Sequence, residues 1–389
     1  MKPLAARTNA LRQSDIRAVT FAVNAVGGIN LGQGICDLAT PEPIVEATVE
    51  AVRAGRSIYT AYNGIAPLRQ AIAEKAVLFN GIAQATPESV VVSAGSTGAF
   101  QAAVLTLCEP GDEVVLFEPF YGYHAGILRL HGVRPVPLAR DGGRWAFDPG
   151  ALAAAVTPRT KAVLVCTPAN PSGKVWGTGE IDALLEIAEE RDLWVLTDEI
   201  YEHMVYDGRP HVSPPSRPGA WERTITLSGF SKTFNMTGWR LGYAVAPEPV
   251  ASKMGLVNDL TTICAPAPLQ HGLAAALPMP RAYYETMLAD YTAKRAQFVE
   301  TLRDCGFRAD PPEGAYYVLA DLGDRYGTPG FESAARASQT LIETAGVACV
   351  PGPSFFSDPA DGDRLLRFCY AKRAEVLDQA CRQLREALA

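Results

Sequence analysis

The chain has 389 residues, 48% hydrophobic and 20% charged, with 34 Gly and 29 Pro, which gives room for two or three domains with ample core. Its formal net charge of −7, without long basic runs, argues against nucleic acid as a partner. The eight cysteines are scattered without a C-x-x-C pair and several sit in apolar runs such as 162–166, so reduced core thiols in a cytoplasmic protein are expected rather than disulfides. The five histidines show no ligand spacing, so no metal site is expected, and His124 with His131 on one helix reads as surface. No apolar run is long enough to span a membrane, and Lys2 to Arg17 lacks the apolar segment of a signal peptide.

In chain order, residues 14–26 read as a short amphipathic helix leading through Gly27-Gly28 to a strand-like Ile29-Asn30-Leu31. Gly32-Gln33-Gly34 turns, Pro41-Glu42-Pro43 opens a helix to about residue 55, and a polar-aromatic loop at 59–64 precedes a helix near 65–79. Strands then alternate with helices: strand 89–93, helix 97–108, strand 113–117, helix 122–131, strands 134–138 and 161–166, helix 178–190, and strands 193–197, 223–228 and 241–246. That rhythm predicts a mostly parallel sheet with helices on both faces. Near Pro278-Met279-Pro280 it changes to a long helix at about 281–305, strands at 315–321, 347–350 and 364–370, and helices at 331–345 and 373–388. The chain is therefore expected to form an α/β protein with a large domain over 45–280 and a smaller α/β domain from 1–44 and 281–389.

Ligands of open parallel sheets gather outside the carboxyl ends of the strands, and several unusual polar residues stand at such ends. After the β-branched run 224–227 comes the stretch 228–243, Ser-Gly-Phe-Ser-Lys-Thr-Phe-Asn-Met-Thr-Gly-Trp-Arg-Leu-Gly-Tyr. A lysine at the end of a core strand is costly to bury as a cation, so Lys232 is expected to have a lowered pKa and a nucleophilic amine. A neutral amine is what a Schiff base with an aldehyde cofactor requires. The segment Ser93-Ala94-Gly95-Ser96-Thr97-Gly98 joins a strand to a helix; it suits an anion, and equally an ordinary N-cap. Asp198 closes the apolar run 193–197 and needs a cationic or donor partner, with Tyr201 three residues on. Asn170 lies in a turn-forming Asn-Pro-Ser-Gly, and Arg367 interrupts the apolar run 365–370, where it would pair with a protein carboxylate or bind a substrate's. Neither a P-loop nor a clean G-x-G-x-x-G occurs, which argues against nucleoside triphosphates and hydride transfer.

Taken together, the 228–243 block and the order Asn170, Asp198, Lys232, Arg240, Arg367 resemble the class I/II aminotransferases, enzymes of the aspartate-aminotransferase fold (fold type I), over nearly the whole chain. The resemblance implies a seven-stranded-type sheet in the large domain and pyridoxal 5'-phosphate as cofactor. Lys232 would form the Schiff base and later act as general base, and Asp198 would pair with the pyridine nitrogen. Asn170 and Tyr201 would donate to the phenolic oxygen, and Tyr121 would stack on the ring. Gly95, Ser96, Thr97, Ser231 and Arg240 would hold the phosphate, with Tyr59 supplied to the neighbouring subunit's site, which implies a homodimer with shared active sites. Arg367 would clamp the substrate carboxylate beside Gly34, Ile35 and Asn170.

Two departures bear on substrate. Thr97 stands where one dicarboxylate-specific subgroup of the family has a lysine, and 256–272, roughly where the other subgroup's arginine would fall, contains no Arg or Lys. With Ile35 beside Gly34, a neutral, apolar or aromatic L-amino acid is expected as donor to a 2-oxo acid. The family's frequent P-G-x-x-F-G becomes Pro351-Gly352-Pro353-Ser354-Phe355-Phe356, so the nearby loop is expected to be reshaped. A C–S β-lyase of cysteine-conjugate type on the same fold is the alternative, since it would use the same Lys, Asp and Arg.

Overall fold

The computed structural model describes residues 2–8, 15–139 and 145–389; position 14 of the first expected helix lies outside them. Twelve strands are found among these residues: β1 Ile29–Asn30, β2 Val90–Ser93, β3 Glu113–Phe117, β4 Arg134–Leu138, β5 Thr160–Cys166, β6 Trp194–Asp198, β7 Thr224–Gly229, β8 Gly242–Val245, β9 Tyr317–Asp321, β10 Val347–Ala348, β11 Val350–Pro351 and β12 Leu365–Cys369. Seven form one sheet in the order β2-β8-β7-β6-β5-β3-β4. Only β8 runs against its neighbours there, so the expected α/β sheet of mostly parallel strands is present.

Alternation along these strands accounts for the layers. Val114, Leu116, Leu164, Leu196 and Ile225 pack on one face, against the helix Gly95–Leu107. Val115, Phe117, Val163, Val165 and Val195 pack on the other, against the helix Thr178–Glu190. Both faces are covered, which is why the strands read as continuous apolar runs. The second sheet is antiparallel, ordered β11-β12-β9. It packs against the helices Arg281–Asp304 and Ala374–Leu388 around Phe298, Leu302, Tyr317, Phe368, Leu377 and Leu384.

Two expectations change. The strand expected at 347–350 serves two sheets: Val347 and Ala348 pair parallel with Ile29 and Asn30, while Val350 pairs with Arg367. The chain changes partner at Cys349, so the N-terminal strip is fastened to the C-terminal body by backbone bonds. Two helices, Glu248–Thr262 and Ala267–Ala276, fill a stretch assigned no element, each with a proline in its first turn. Leu256 and Leu260 on the first of them face outward (45% and 90% exposed), which blurs the apolar stripe that would have revealed it. Among the described residues no helix is long and apolar enough to cross a membrane.

Candidate active site

The site is built at one edge of the seven-stranded sheet. β2, β3, β5, β6 and β7 all end at that edge and lead respectively to Gly95, Tyr121, Asn170, Asp198 and Lys232. β8 is antiparallel, so its start lies at the same edge and brings Arg240, two residues before it, to join them. Gly242 at the start of β8 has no room for a side chain, because a Cβ would strike the backbone of Gly95 and Ser96. The strand therefore seats directly against the first turn of the helix Gly95–Leu107. Gly95, Ser96 and Thr97 open that helix rather than forming a separate loop, so their N–H groups are the ones a helix leaves without intrahelical partners.

Lys232 Nζ donates to the Gly34 carbonyl at 2.9 Å and lies 5.8 Å and 5.6 Å from the ring centroids of Tyr201 and Tyr316. No carboxylate pairs with it among the described residues. The residue keeps a partial opening to solvent, yet its amine sits deep enough that burial pulls its pKa from 10.5 down to about 8, with the Arg367 and Arg240 cations acting the same way. This is the lowered amine expected from sequence.

Asp198 is buried at the end of β6, where Oδ1 accepts the Ile200 N–H at 3.2 Å and Oδ2 lies 3.1 Å from His124 Nε2. The expectation that His124 is a surface residue is overturned: it is 6% exposed, edge-on to Phe100 at 4.9 Å and to Tyr121 at 5.3 Å. The helix Gly122–Leu130 turns its position 124 inward, toward the sheet end. Tyr121, His124, Cys166 and Asn170 line one small cavity. Tyr201 is buried and shares a 2.9 Å hydrogen bond with the Tyr317 hydroxyl.

Arg367 is 1% exposed on β12. No carboxylate pairs with it among the described residues; Nη1 donates to Asn170 Oδ1 at 2.8 Å and Nη2 to the Gly32 carbonyl at 2.5 Å. The guanidinium lies over the Tyr317 ring at 4.4 Å and the Phe355 ring at 4.9 Å, and its buried Nε has no partner among the described residues. A cation without a counter-ion in such a place is strongly disposed to take an anion. Gly34 is held close by, since a Cβ there would collide with the Tyr317 hydroxyl, and the neighbouring Ile35 is 39% exposed.

Ser231 is buried beside Lys232, while Thr97 and Arg240 are exposed and Ser96 is partly so. Arg240 donates from Nη1 to the Thr237 carbonyl at 2.9 Å and adopts a left-handed φ of 57°, rare for a residue with a side chain. A Cβ on Gly95 would run into the Arg240 guanidinium, so that glycine leaves the cation room over the helix start. Tyr59 is 79% exposed and has no part in the contacts described above. Sequence reasoning missed His124, Tyr316 and Tyr317. The spacing of His124, three residues after Tyr121, was the available signal for a shared helical face, and two consecutive phenols entering a core strand were the signal for the others.

Compared with known proteins, residues 26–384 match the family described as aminotransferase class I and II. The chain is 36% identical over 370 residues to a probable N-succinyldiaminopimelate aminotransferase of Mycobacterium tuberculosis, covering 92% of each chain. A solved structure of N-succinyldiaminopimelate aminotransferase from Mycobacterium tuberculosis superposes with a TM-score of 0.93 at 34% identity, over 100% of both chains. A methionine aminotransferase structure from Escherichia coli gives 0.93 at 31% identity, covering 99% of this chain and 100% of that one.

Proposed function

The chain belongs to the class I and II aminotransferases and is an aminotransferase, and from that premise we propose that it transfers the amino group of a neutral, apolar or aromatic L-amino acid to a 2-oxo acid, using pyridoxal 5'-phosphate. The family is known to depend on that cofactor, and the residues present suit it. An amine without a carboxylate partner, a buried carboxylate and an arginine lying over a helix N-terminus are the groups that an aldehyde, a ring nitrogen and a phosphate would require. The single observation that carries the reading is the meeting of the Lys232 amine and the buried Arg367 guanidinium, neither with a carboxylate partner among the described residues, beside one strip of backbone at Gly32 and Gly34.

When bound, pyridoxal phosphate supplies an aldehyde carbon for amine exchange and a cationic ring that accepts the electron pair left at the substrate α-carbon. Asp198, held by His124 and the Ile200 N–H, would face the ring nitrogen as its acceptor. Lys232, its pKa lowered to about 8, holds more free amine near neutral pH than an ordinary lysine and would take the α-proton as general base. Tyr201 and Asn170 would donate to the phenolic oxygen, and Tyr121 would cover the ring. Gly95, Ser96, Thr97, Ser231 and Arg240 would hold the phosphate, and Arg367 would orient the substrate carboxylate. These roles fall in the part of the chain from 45 to 280, with Arg367 and Gly34 contributed by a smaller domain from 1–44 and 281–389.

Thr97 and Ile35 favour an uncharged substrate side chain. Exposed Ile58, Tyr59, Leu260 and Ile263 (77%, 79%, 90% and 50%) favour a homodimer in which Tyr59 completes the partner copy's site. Borohydride reduction followed by peptide mapping tests the centre of this reading: the pyridoxyl group is expected on Lys232, and its absence there overturns the assignment. A donor panel tests specificity, with methionine, leucine or phenylalanine expected to exceed aspartate in kcat/KM.

A further inference from the structure

Two donors meet on one oxygen in the middle of the site. The Gly34 carbonyl accepts from Lys232 Nζ at 2.9 Å and from the Tyr316 hydroxyl at 3.2 Å. Tyr316 is wholly buried just ahead of β9, edge-on to Tyr201 at 5.2 Å and tilted against Tyr317 at 4.9 Å and Tyr291 at 5.8 Å. Its ring is fixed from three sides, with the Tyr317 hydroxyl as the other polar group close to its own. No role assigned above uses it.

We propose that Tyr316 is a positioning residue for Lys232, its hydroxyl holding the Gly34 carbonyl in place and hydrogen-bonded while the lysine amine leaves that oxygen and returns to it. This inference rests on the reading of Lys232 as the base. Even a partly buried carbonyl left without a donor carries some desolvation cost, which would oppose departure of the amine. Tyr316 removes that opposition because one donor always remains. With the amine in place the oxygen is shared, and a shared oxygen is a weaker acceptor for an ammonium than one serving it alone. The neutral amine is favoured accordingly.

The other groups facing the amine are the Arg367 and Arg240 cations, the Cys36 and Cys369 thiols, and the rings of Tyr201 and Tyr316. Tyr316→Phe leaves all of them in place and deletes only the hydroxyl. Tyr291→Phe is the control, since it deletes a neighbouring buried hydroxyl that lies 3.3 Å from Cys36 Sγ.

Two measurements on the full-length protein test the proposal. One is the pKa of the Lys232 amine in cofactor-free protein, read from the pH dependence of its reductive methylation by peptide mass mapping. The other is the acid limb of the holoenzyme's donor half-reaction. Tyr316→Phe is expected to raise both by about half a pH unit and to lower kcat about five-fold with donor KM unchanged. Tyr291→Phe is expected to move neither. If Tyr316→Phe leaves the labelling pKa and acid limb where they were, or lowers them, the proposal is overturned. An equal response from Tyr291→Phe also overturns it, by reducing the effect to general packing. Labelling reads the amine itself, so its failure is distinguishable from failure of the borohydride mapping.

Discussion

His124 Nε2 lies 3.1 Å from Asp198 Oδ2, with no more than a tenth of either side chain open to solvent. In that setting the imidazole is the side-chain hydrogen-bond partner that aims the carboxylate. A His124→Phe variant retains a ring against Phe100 and Tyr121 but loses the nitrogen. Its kcat is expected to fall about ten-fold, consistent with one buried hydrogen bond to a charged group. Steady-state kinetics check this, and unchanged turnover would leave His124 as packing only.

Arg367 joins a charge to a planar fork, with Asn170 and Gly32 fixing its two Nη groups and Tyr317 lying beneath it. Lysine supplies the charge without the fork or the stacking. Arg367→Lys is therefore expected to raise the KM for amino acid and oxo acid together by about thirty-fold or more. Initial-rate measurements with both substrates decide it; a change confined to one of them contradicts a shared carboxylate site.

The pair Lys75 and Glu202 makes the stability of the large sheet depend on pH. Burial works to raise the Glu202 pKa, but the Lys75 ammonium, assisted by Asn80, brings it down to about 2. Because the folded value is depressed, the stability from this group is fully present above the unfolded value of about 4.3 and is lost as pH falls through about 2. Glu202→Gln leaves the partly exposed Lys75 without its counter-charge and is expected to cost about 1–2 kcal/mol at pH 7. Urea unfolding at pH 7 and pH 3 tests the sign: the difference between parent and variant should shrink at the lower pH.

Lys232→Ala is expected to abolish transamination while leaving the phosphate-binding groups in place. Added pyridoxal phosphate should still raise the Tm of that variant, by the linkage that any ligand of the folded state obeys. Arg240→Ala in the same background should weaken that rise. A Lys232→Ala enzyme turning over at the parent rate would refute the role given to the amine.

Much of this was legible in the residues. Strand runs 113–117 and 134–138 and the helix 178–190 carry their boundaries in plain view, because short β-branched or apolar runs are set off by turn residues on either side. Lys232, Asp198 and Arg367 announced themselves as charges placed where apolar runs end or are interrupted. The helix Glu248–Thr262 did not, since its outward Leu256 and Leu260 obscure the period. His124 was misread because its burial depends on a sheet edge far away in sequence.

The sequence by itself determined which residue types stand at the ends of the core strands, and with them the alternation of the fold and the chemistry available to it. Only the tertiary structure decided which of those ends meet. An antiparallel β8 brings Arg240 to the helix start at Gly95, and a strip near Gly32 and Gly34, pinned by β1 to β10, receives both Arg367 and Lys232. The reason is physical: local pattern fixes what a segment buries, whereas the partners of a buried charge are set by long-range backbone pairing, which short-range periodicity does not record.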